Sequence, residues 1–111
     1  MPNTKIAMPY KIEWRDRGVY TNTTGKLTFN ENIQYVGELY GDRRFEEIDF
    51  QISDLLEADM SDFNVESAKR ICEFDKIFTV WNPNMKIAHI AIDPEVLKII
   101  ESYEKSMSET G

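Results

Sequence analysis

Cysteine is almost absent from this chain, because Cys72 is the only one among 111 residues. A single thiol excludes an internal disulfide framework and suits a reducing compartment. Long hydrophobic runs are also missing: no apolar stretch approaches the roughly 18 to 20 residues needed to cross a bilayer. Residues 1–9 carry no basic flank followed by an apolar block, as a secretory signal would. The sequence therefore predicts a cytoplasmic protein with no membrane span.

The chain has fewer basic than acidic residues. Thirteen basic residues stand against twenty acidic ones, which gives a net charge of −7. Affinity for nucleic acids depends on basic surface that contacts phosphates, and anionic membranes repel an acidic protein. We therefore expect neither nucleic acid nor a membrane surface as a partner.

Motifs for catalysis and cofactor binding are lacking as well. The five glycines are scattered and form no phosphate-binding loop. His89 is the only histidine, and no neighbouring residues complete a known catalytic motif. The acidic residues of 54–62 lack the alternate spacing and central glycine of a calcium loop. The sequence predicts no enzyme, no catalytic residue, no metal and no cofactor. His89 and Cys72 are interpreted as core residues.

The remaining composition is that of one folded domain, with 41% hydrophobic and 12% aromatic residues. Residues 1–9 are predicted to be a flexible tail, 10–105 a single domain and 106–111 a frayed end. Alternating apolar residues predict a hairpin of Tyr10–Arg15 and 19–24, a third strand over 45–53 and a fourth over 86–92. Helical spacing and capping residues predict helices after Thr28, over 64–81 and after Asp93.

Two features of the predicted strands determine the expected sheet. In the third strand, Ile48, Phe50 and Ile52 face one way and polar residues face the other, which predicts one covered and one wet face. The fourth strand is the most apolar, so it is predicted to be central. Because crossovers between parallel strands are right-handed, the element order predicts an α/β fold. Its expected form is β-β-α-β-α-β-α, a small mixed four-stranded sheet with helices on one face.

The element order and the run Asp59-Met60-Ser61-Asp62-Phe63 resemble the STAS domain, the SpoIIAA-like fold of anti-anti-sigma factors. Signalling members carry Asp-Ser-Ser-Gly-Leu at this place, and a partner kinase phosphorylates the first serine. Asp59 and Ser61 match that pattern, and Phe63 replaces leucine. Met60 stands at the phosphoacceptor position and Asp62 at the glycine position. The resemblance implies the scaffold of a regulatory module without its usual switch.

The loop before the long helix is the predicted binding site, with Asp59, Ser61, Asp62 and Phe63 as its residues. Ser61 is a candidate phosphosite, because a phosphate near a helix start would meet free N–H groups. The flanking carboxylates of Asp59 and Asp62 would repel that phosphate, so an ordinary loop or capping serine is the favoured interpretation of Ser61. Trp81, near the end of the long helix, is either a lid on the core or an exposed contact for a partner.

Two functions agree with these observations. The first is a non-enzymatic, regulatory STAS-like module that binds another protein through the loop at 59–63. The alternative is a carrier of a small molecule or lipid, favoured by the large apolar side chains Phe74, Phe78 and Trp81. A homodimer could form if Tyr10–Arg15, as an edge strand, paired with its copy. Arg15 and Arg17 would discourage that pairing.

Overall fold

The computed structural model describes residues 8–108, so the predictions made for residues 1–7 and 109–111 lie outside the described residues. Seven helices and strands follow one another within this range. They are β1 (Tyr10–Arg15), β2 (Gly18–Lys26), α1 (Phe29–Tyr40), β3 (Phe50–Asp59), α2 (Val65–Phe78), β4 (Lys86–Ile90) and α3 (Pro94–Ser108). Short 3₁₀ turns occupy Arg43–Glu47 and Thr79–Trp81. The predicted mixed α/β class is confirmed.

The four strands form one sheet in the order β1-β2-β3-β4. β1 and β2 are an antiparallel hairpin, whereas β2, β3 and β4 are parallel neighbours. Parallel neighbours need a crossover connection, and α1 and α2 are those crossovers. β1 lies at one edge, as predicted.

The third strand starts later and runs further than the sequence pattern predicted. Residues 45–47 lie in the 3₁₀ turn, and β3 continues to Asp59, so most of the predicted acidic loop at 54–62 is strand. The predicted faces are also reversed from Phe50 onward. Gln51 is buried and faces the helices, whereas Phe50 lies on the open face, where its ring covers Gly18 of β2. Glycine leaves room there that any Cβ would fill.

The fourth strand is an edge strand, not the central strand that its apolar composition predicted. It ends at Ile90, and Ile92 beyond it is exposed. The central strands are β2 and β3. Their inner faces carry Thr21, Gln51 and other polar residues that make hydrogen bonds within the fold. Satisfied polar side chains can occupy a central strand, so apolar content alone did not identify it.

The helix boundaries follow local capping chemistry. Thr28 and Glu31 form the predicted capping box at α1, with reciprocal backbone contacts of 3.1 and 2.9 Å. Asn64 caps α2 and accepts from the backbone N–H of Ser67 at 2.9 Å. α3 continues to Ser108, three residues into the segment predicted to fray. No helix within 8–108 is long and apolar enough to cross a bilayer.

The core consists of three apolar clusters between the sheet and the helices. One is centred on Phe45 and Tyr40. The ring of Tyr40 stacks on that of Phe78, with ring centroids 4.7 Å apart. A second contains Tyr10, Leu27 and Phe63. The third joins Leu55 of β3 to Val96 and Ile100 of α3. Polar side chains lie where the three clusters meet, and this arrangement creates the candidate site.

Candidate functional site

A cavity of about 100 Å³ lies between the inner face of the sheet and the helices. The strand register sets Thr21, Ser53 and His89 side by side on β2, β3 and β4. Ser53 and His89 line the cavity, together with polar groups from all three helices. Those helical groups are Asn32, Tyr35 and Tyr40 from α1, Asp75 from α2 and Tyr103 from α3. Thr23 of β2 lines the cavity too, so the site depends on six of the seven main elements.

Among the described residues that line the cavity, Asp75 is the only acidic one, and it is 6% exposed. Its Oδ2 accepts a hydrogen bond from the hydroxyl of Tyr103, whereas its Oδ1 is buried without a hydrogen-bond partner. Burial raises the pKa of Asp75 from 3.8 to about 6, although the nearby hydroxyls of Tyr103 and Tyr40 act in the opposite direction. Near neutral pH this carboxylate carries a buried negative charge, which the hydrogen bond from Tyr103 and the nearby hydroxyl of Tyr40 stabilise.

The tyrosines around Asp75 stay protonated. Burial, with Asp75 nearby, raises the pKa of Tyr40 and of Tyr103 far above the ordinary value of 10. Burial also raises the pKa of Tyr35 to about 12. All three hydroxyls are therefore hydrogen-bonding groups rather than nucleophiles.

Tyr35 organises the side of the cavity formed by the central strands. Its hydroxyl donates to Oγ1 of Thr21 at 3.1 Å and accepts from Nε2 of Gln51 at 2.8 Å. This pairing explains how an amide side chain is buried on the inner face of β3. It also holds Gln51 and Tyr35 in one arrangement, so this wall is preformed.

His89 faces the cavity from the edge strand β4. Its side chain is mostly buried, and its ring packs edge-on against Tyr103 with centroids 5.7 Å apart. Burial lowers the pKa of His89, an effect that the carboxylate of Glu104 partly opposes. The Nδ1 atom lies 3.5 Å from Oε1 of Glu104 and makes no hydrogen bond. The prediction that His89 lies in a central strand is therefore wrong, because β4 is an edge strand. His89 is a mostly buried, neutral side chain that lines the cavity.

The residues of the predicted binding loop have structural roles. Asp59, at the end of β3, accepts from the backbone N–H of Ser61 at 2.9 Å. Asp62 accepts from the backbone N–H of Phe29 at 2.9 Å and so ties the loop to the start of α1. Phe63 is 8% exposed and lines the cavity, which makes it unavailable to a partner at the surface. Ser61 is exposed. Binding of another protein by Asp59, Ser61 and Asp62 stays a prediction.

Two further candidate residues from the sequence have clear positions. Cys72 is buried on α2, as interpreted from its place in the helical pattern. Trp81 is 54% exposed and touches Phe78 only edge-on, so it is not a lid over the core. Ile77 and Val80 are exposed beside it in the chain.

Sequence reasoning did not identify Asp75, Tyr35 or Tyr103 as residues of a functional site. A signal for Asp75 existed: it follows Ala68, Ile71 and Cys72 at helical spacing, on the stripe of α2 that faces the core. A carboxylate on a buried stripe marks a functional candidate, since buried charges are rare without a partner. Nothing comparable marks Tyr35 and Tyr103, whose amphipathic side chains suit many environments.

Comparison with known proteins adds no assignment. No protein-family model, curated protein or solved structure matches this chain. In the described part of the chain, no three His, Cys, Asp or Glu side chains are grouped so that they could hold a metal ion.

Proposed function

We propose that this protein is a non-enzymatic binding domain whose ligand is a small polar molecule held in the cavity between sheet and helices. The observation that carries the proposal is the unpartnered Oδ1 of the buried Asp75 carboxylate, a residue that lines the cavity. A buried polar atom without a partner costs roughly 1 to 3 kcal/mol, and more when it is charged. A ligand that donates hydrogen bonds offsets that cost.

The cavity volume limits the size of the ligand. An engineered cavity of about 150 Å³ in another protein binds benzene, so a volume of about 100 Å³ suits a ligand of roughly four to six non-hydrogen atoms. A lipid acyl chain is far larger. Within the carrier hypothesis, the geometry therefore favours a small molecule over a lipid.

Binding is favoured over catalysis because the site holds its groups in unreactive states. The tyrosine hydroxyls have raised pKa values and stay protonated. Ser53 and His89 both line the cavity, but Nδ1 of His89 makes no hydrogen bond, so it does not form the nucleophile–base pair that would activate a serine.

A cavity-filling variant tests the proposed function. Ala68 lines the cavity from α2, and Ala68→Leu would occupy its space. Ala88 lies on the open face of β4, so Ala88→Leu is a matched control. We expect a screen of polar fragments, read by thermal shift and by protein NMR, to find ligands that stabilise the wild type and Ala88→Leu but not Ala68→Leu.

If Ala68→Leu fails to fold, Ser53→Val provides a second change in the same cavity. Fragments that bind the wild type and every folded cavity variant equally would refute the cavity as the binding site. A screen in which no fragment binds the wild type would refute the proposed function itself.

A protein-binding role, implied by the resemblance to STAS domains, is the second candidate. The exposure of Trp81 beside Ile77 and Val80 supports it, since tryptophan is the residue type that most often dominates protein interfaces. Affinity capture with wild type, Trp81→Ala and the Asp59→Ala, Ser61→Ala double variant tests it. Loss of a captured protein with Trp81→Ala alone would place the contact at the end of α2, and loss with the double variant alone would place it at the predicted loop. Equal capture by all three would contradict both positions.

A further inference from the structure

We propose that the ligand of this cavity is a small organic ammonium ion, such as a protonated primary amine, whose charged group pairs with the free carboxylate oxygen of Asp75. This inference rests on the proposed binding function and adds the chemical class of the ligand. It follows from the charge, the hydrogen-bonding groups and the aromatic rings that surround the cavity.

The charge of the lining has one sign. Asp75 is the acidic residue of the lining, and no lysine or arginine is among the described residues that form it. Tyr35, Tyr40 and Tyr103 face Asp75 from α1 and α3 as neutral phenols, Cys72 lies one turn away on α2, and His89 of β4 is neutral. An anion would meet repulsion with nothing to offset it, whereas a cation gains an ion pair in a site of low dielectric constant.

The hydrogen-bonding groups match the same ligand. Oδ1 of Asp75 is an acceptor without a donor. The amide oxygen of Gln51 and the hydroxyl of Ser53 belong to the same lining and also accept hydrogen bonds. An ammonium group has several N–H donors and no acceptor, so it can pair with the carboxylate and use its remaining donors on neutral groups. A carboxylate or phosphate ligand has only acceptors to offer.

The aromatic composition of the walls is the third argument. Tyr35, Tyr40, Phe63 and Tyr103 all line the cavity. Aromatic rings attract ammonium ions through their negative faces, and this attraction strengthens when the ion is removed from water. A carboxylate combined with several aromatic rings therefore suits an amine with a short apolar tail better than a purely polar ion.

The inference predicts a distinctive dependence on pH. The ion pair needs Asp75 ionised, and burial makes that carboxyl retain its proton up to a pKa of about 6. Affinity for an amine should therefore increase with pH, by about tenfold per pH unit as the pH rises towards 6, and stay constant above that. Protonation of His89 at still lower pH adds positive charge and changes affinity in the same direction. A neutral ligand that only fills space has no such dependence.

Three probes of similar size separate the ligand classes. Isobutylammonium, isobutanol and isobutyrate share one branched tail and differ in the charge of the head group. The amine stays protonated from pH 5 to pH 8, since alkylamines titrate near pH 10. Each probe is titrated into the wild type, Asp75→Asn and the surface control Asp49→Asn, with binding followed by NMR shifts of backbone amides and tyrosine rings.

We expect isobutylammonium to bind the wild type and Asp49→Asn at least tenfold more tightly than isobutanol, and isobutyrate not to bind. Asp75→Asn should remove this preference, and wild-type affinity for the amine should fall at least fivefold between pH 7.5 and pH 5. Tighter binding of isobutanol or isobutyrate than of the amine would overturn the ammonium assignment and leave the proposed function standing. Binding of no probe, together with a failed fragment screen, would overturn both. If Asp75→Asn does not fold, the order of affinities of the three probes for the wild type at pH 7.5 decides the matter, because only a buried negative charge favours the amine over both the alcohol and the carboxylate.

Discussion

Changing Asp75 to asparagine removes one negative charge from the interior and leaves the shape of the side chain almost unchanged. The carboxylate is 6% exposed, and burial raises its pKa from 3.8 to about 6. The shift is about two pH units, and each unit corresponds to about 1.4 kcal/mol, so ionising Asp75 costs the folded protein ~3 kcal/mol. Asparagine never ionises and avoids that cost.

The sign of the effect follows from proton binding. The folded protein holds the Asp75 proton more tightly than the unfolded chain does, because its pKa is raised. The wild type is therefore relatively most stable below about pH 4, where both states are protonated, and loses stability as the pH rises from about 4 to about 6. The stability of Asp75→Asn minus that of wild type should increase by ~3 kcal/mol across this range and stay constant above it.

Urea denaturation from pH 4 to pH 8, followed by tryptophan fluorescence, measures this difference. His89 also has a shifted pKa, lowered by burial, but it is present in both proteins and largely cancels. Asp49→Asn is the control, because Arg17 holds the pKa of the exposed Asp49 below its usual value. Relative to the wild type, this variant should become no more stable as the pH rises. A difference between Asp75→Asn and wild type that stays flat within ~0.5 kcal/mol would show that Asp75 is not a desolvated charge.

Three further changes test how the fold is held together. Gly25 has a φ of +78°, so Gly25→Ala should lower the free energy of unfolding by about 1 kcal/mol. Gly37 lies in α1 with open space around it, so Gly37→Ala should raise the free energy of unfolding by about 0.5 to 1 kcal/mol. Equal effects of the two substitutions would contradict this assignment of the backbone. Asn82 donates to the carbonyl oxygens of two buried residues at 2.8 and 2.7 Å, so Asn82→Ala should cost about 1 to 3 kcal/mol and the exposed Asn84→Ala close to nothing, as urea denaturation will show. Thr28→Ala removes the cap of α1 and should cost about 1 kcal/mol; an unchanged urea midpoint would mean that the capping box does not matter.

Local chemistry made much of the fold predictable. The capping box of Thr28 and Glu31 and the proline after Asp93 depend only on near neighbours in the chain, and both helices begin where these residues place them. The hairpin of β1 and β2 is similarly local. Such features survive in any tertiary context, so sequence reasoning finds them.

Long-range contacts explain what the sequence could not show. The inner and outer faces of β3 depend on Gly18, which accepts the ring of Phe50, and on Tyr35, which satisfies Gln51. Each partner lies far away in the chain. The helical pattern places Asp75 on the buried stripe of α2, but its neighbours Tyr40 and Tyr103 come from α1 and α3 and cannot be read from that pattern. The candidate site was missed because its groups meet only in the folded protein.

The hydrogen bond from Tyr103 to Asp75 joins the last helix of the described chain to the middle of α2. Packing of α3 against α2 thus contributes to the burial of Asp75, and burial disfavours the charged form of a carboxyl group. The contact between the two helices should therefore be more stable when Asp75 is protonated, or when a bound amine supplies the opposite charge. Hydrogen exchange of the α3 amides should accordingly slow in mildly acidic solution, after correction for the intrinsic rate, or when an amine is added at neutral pH.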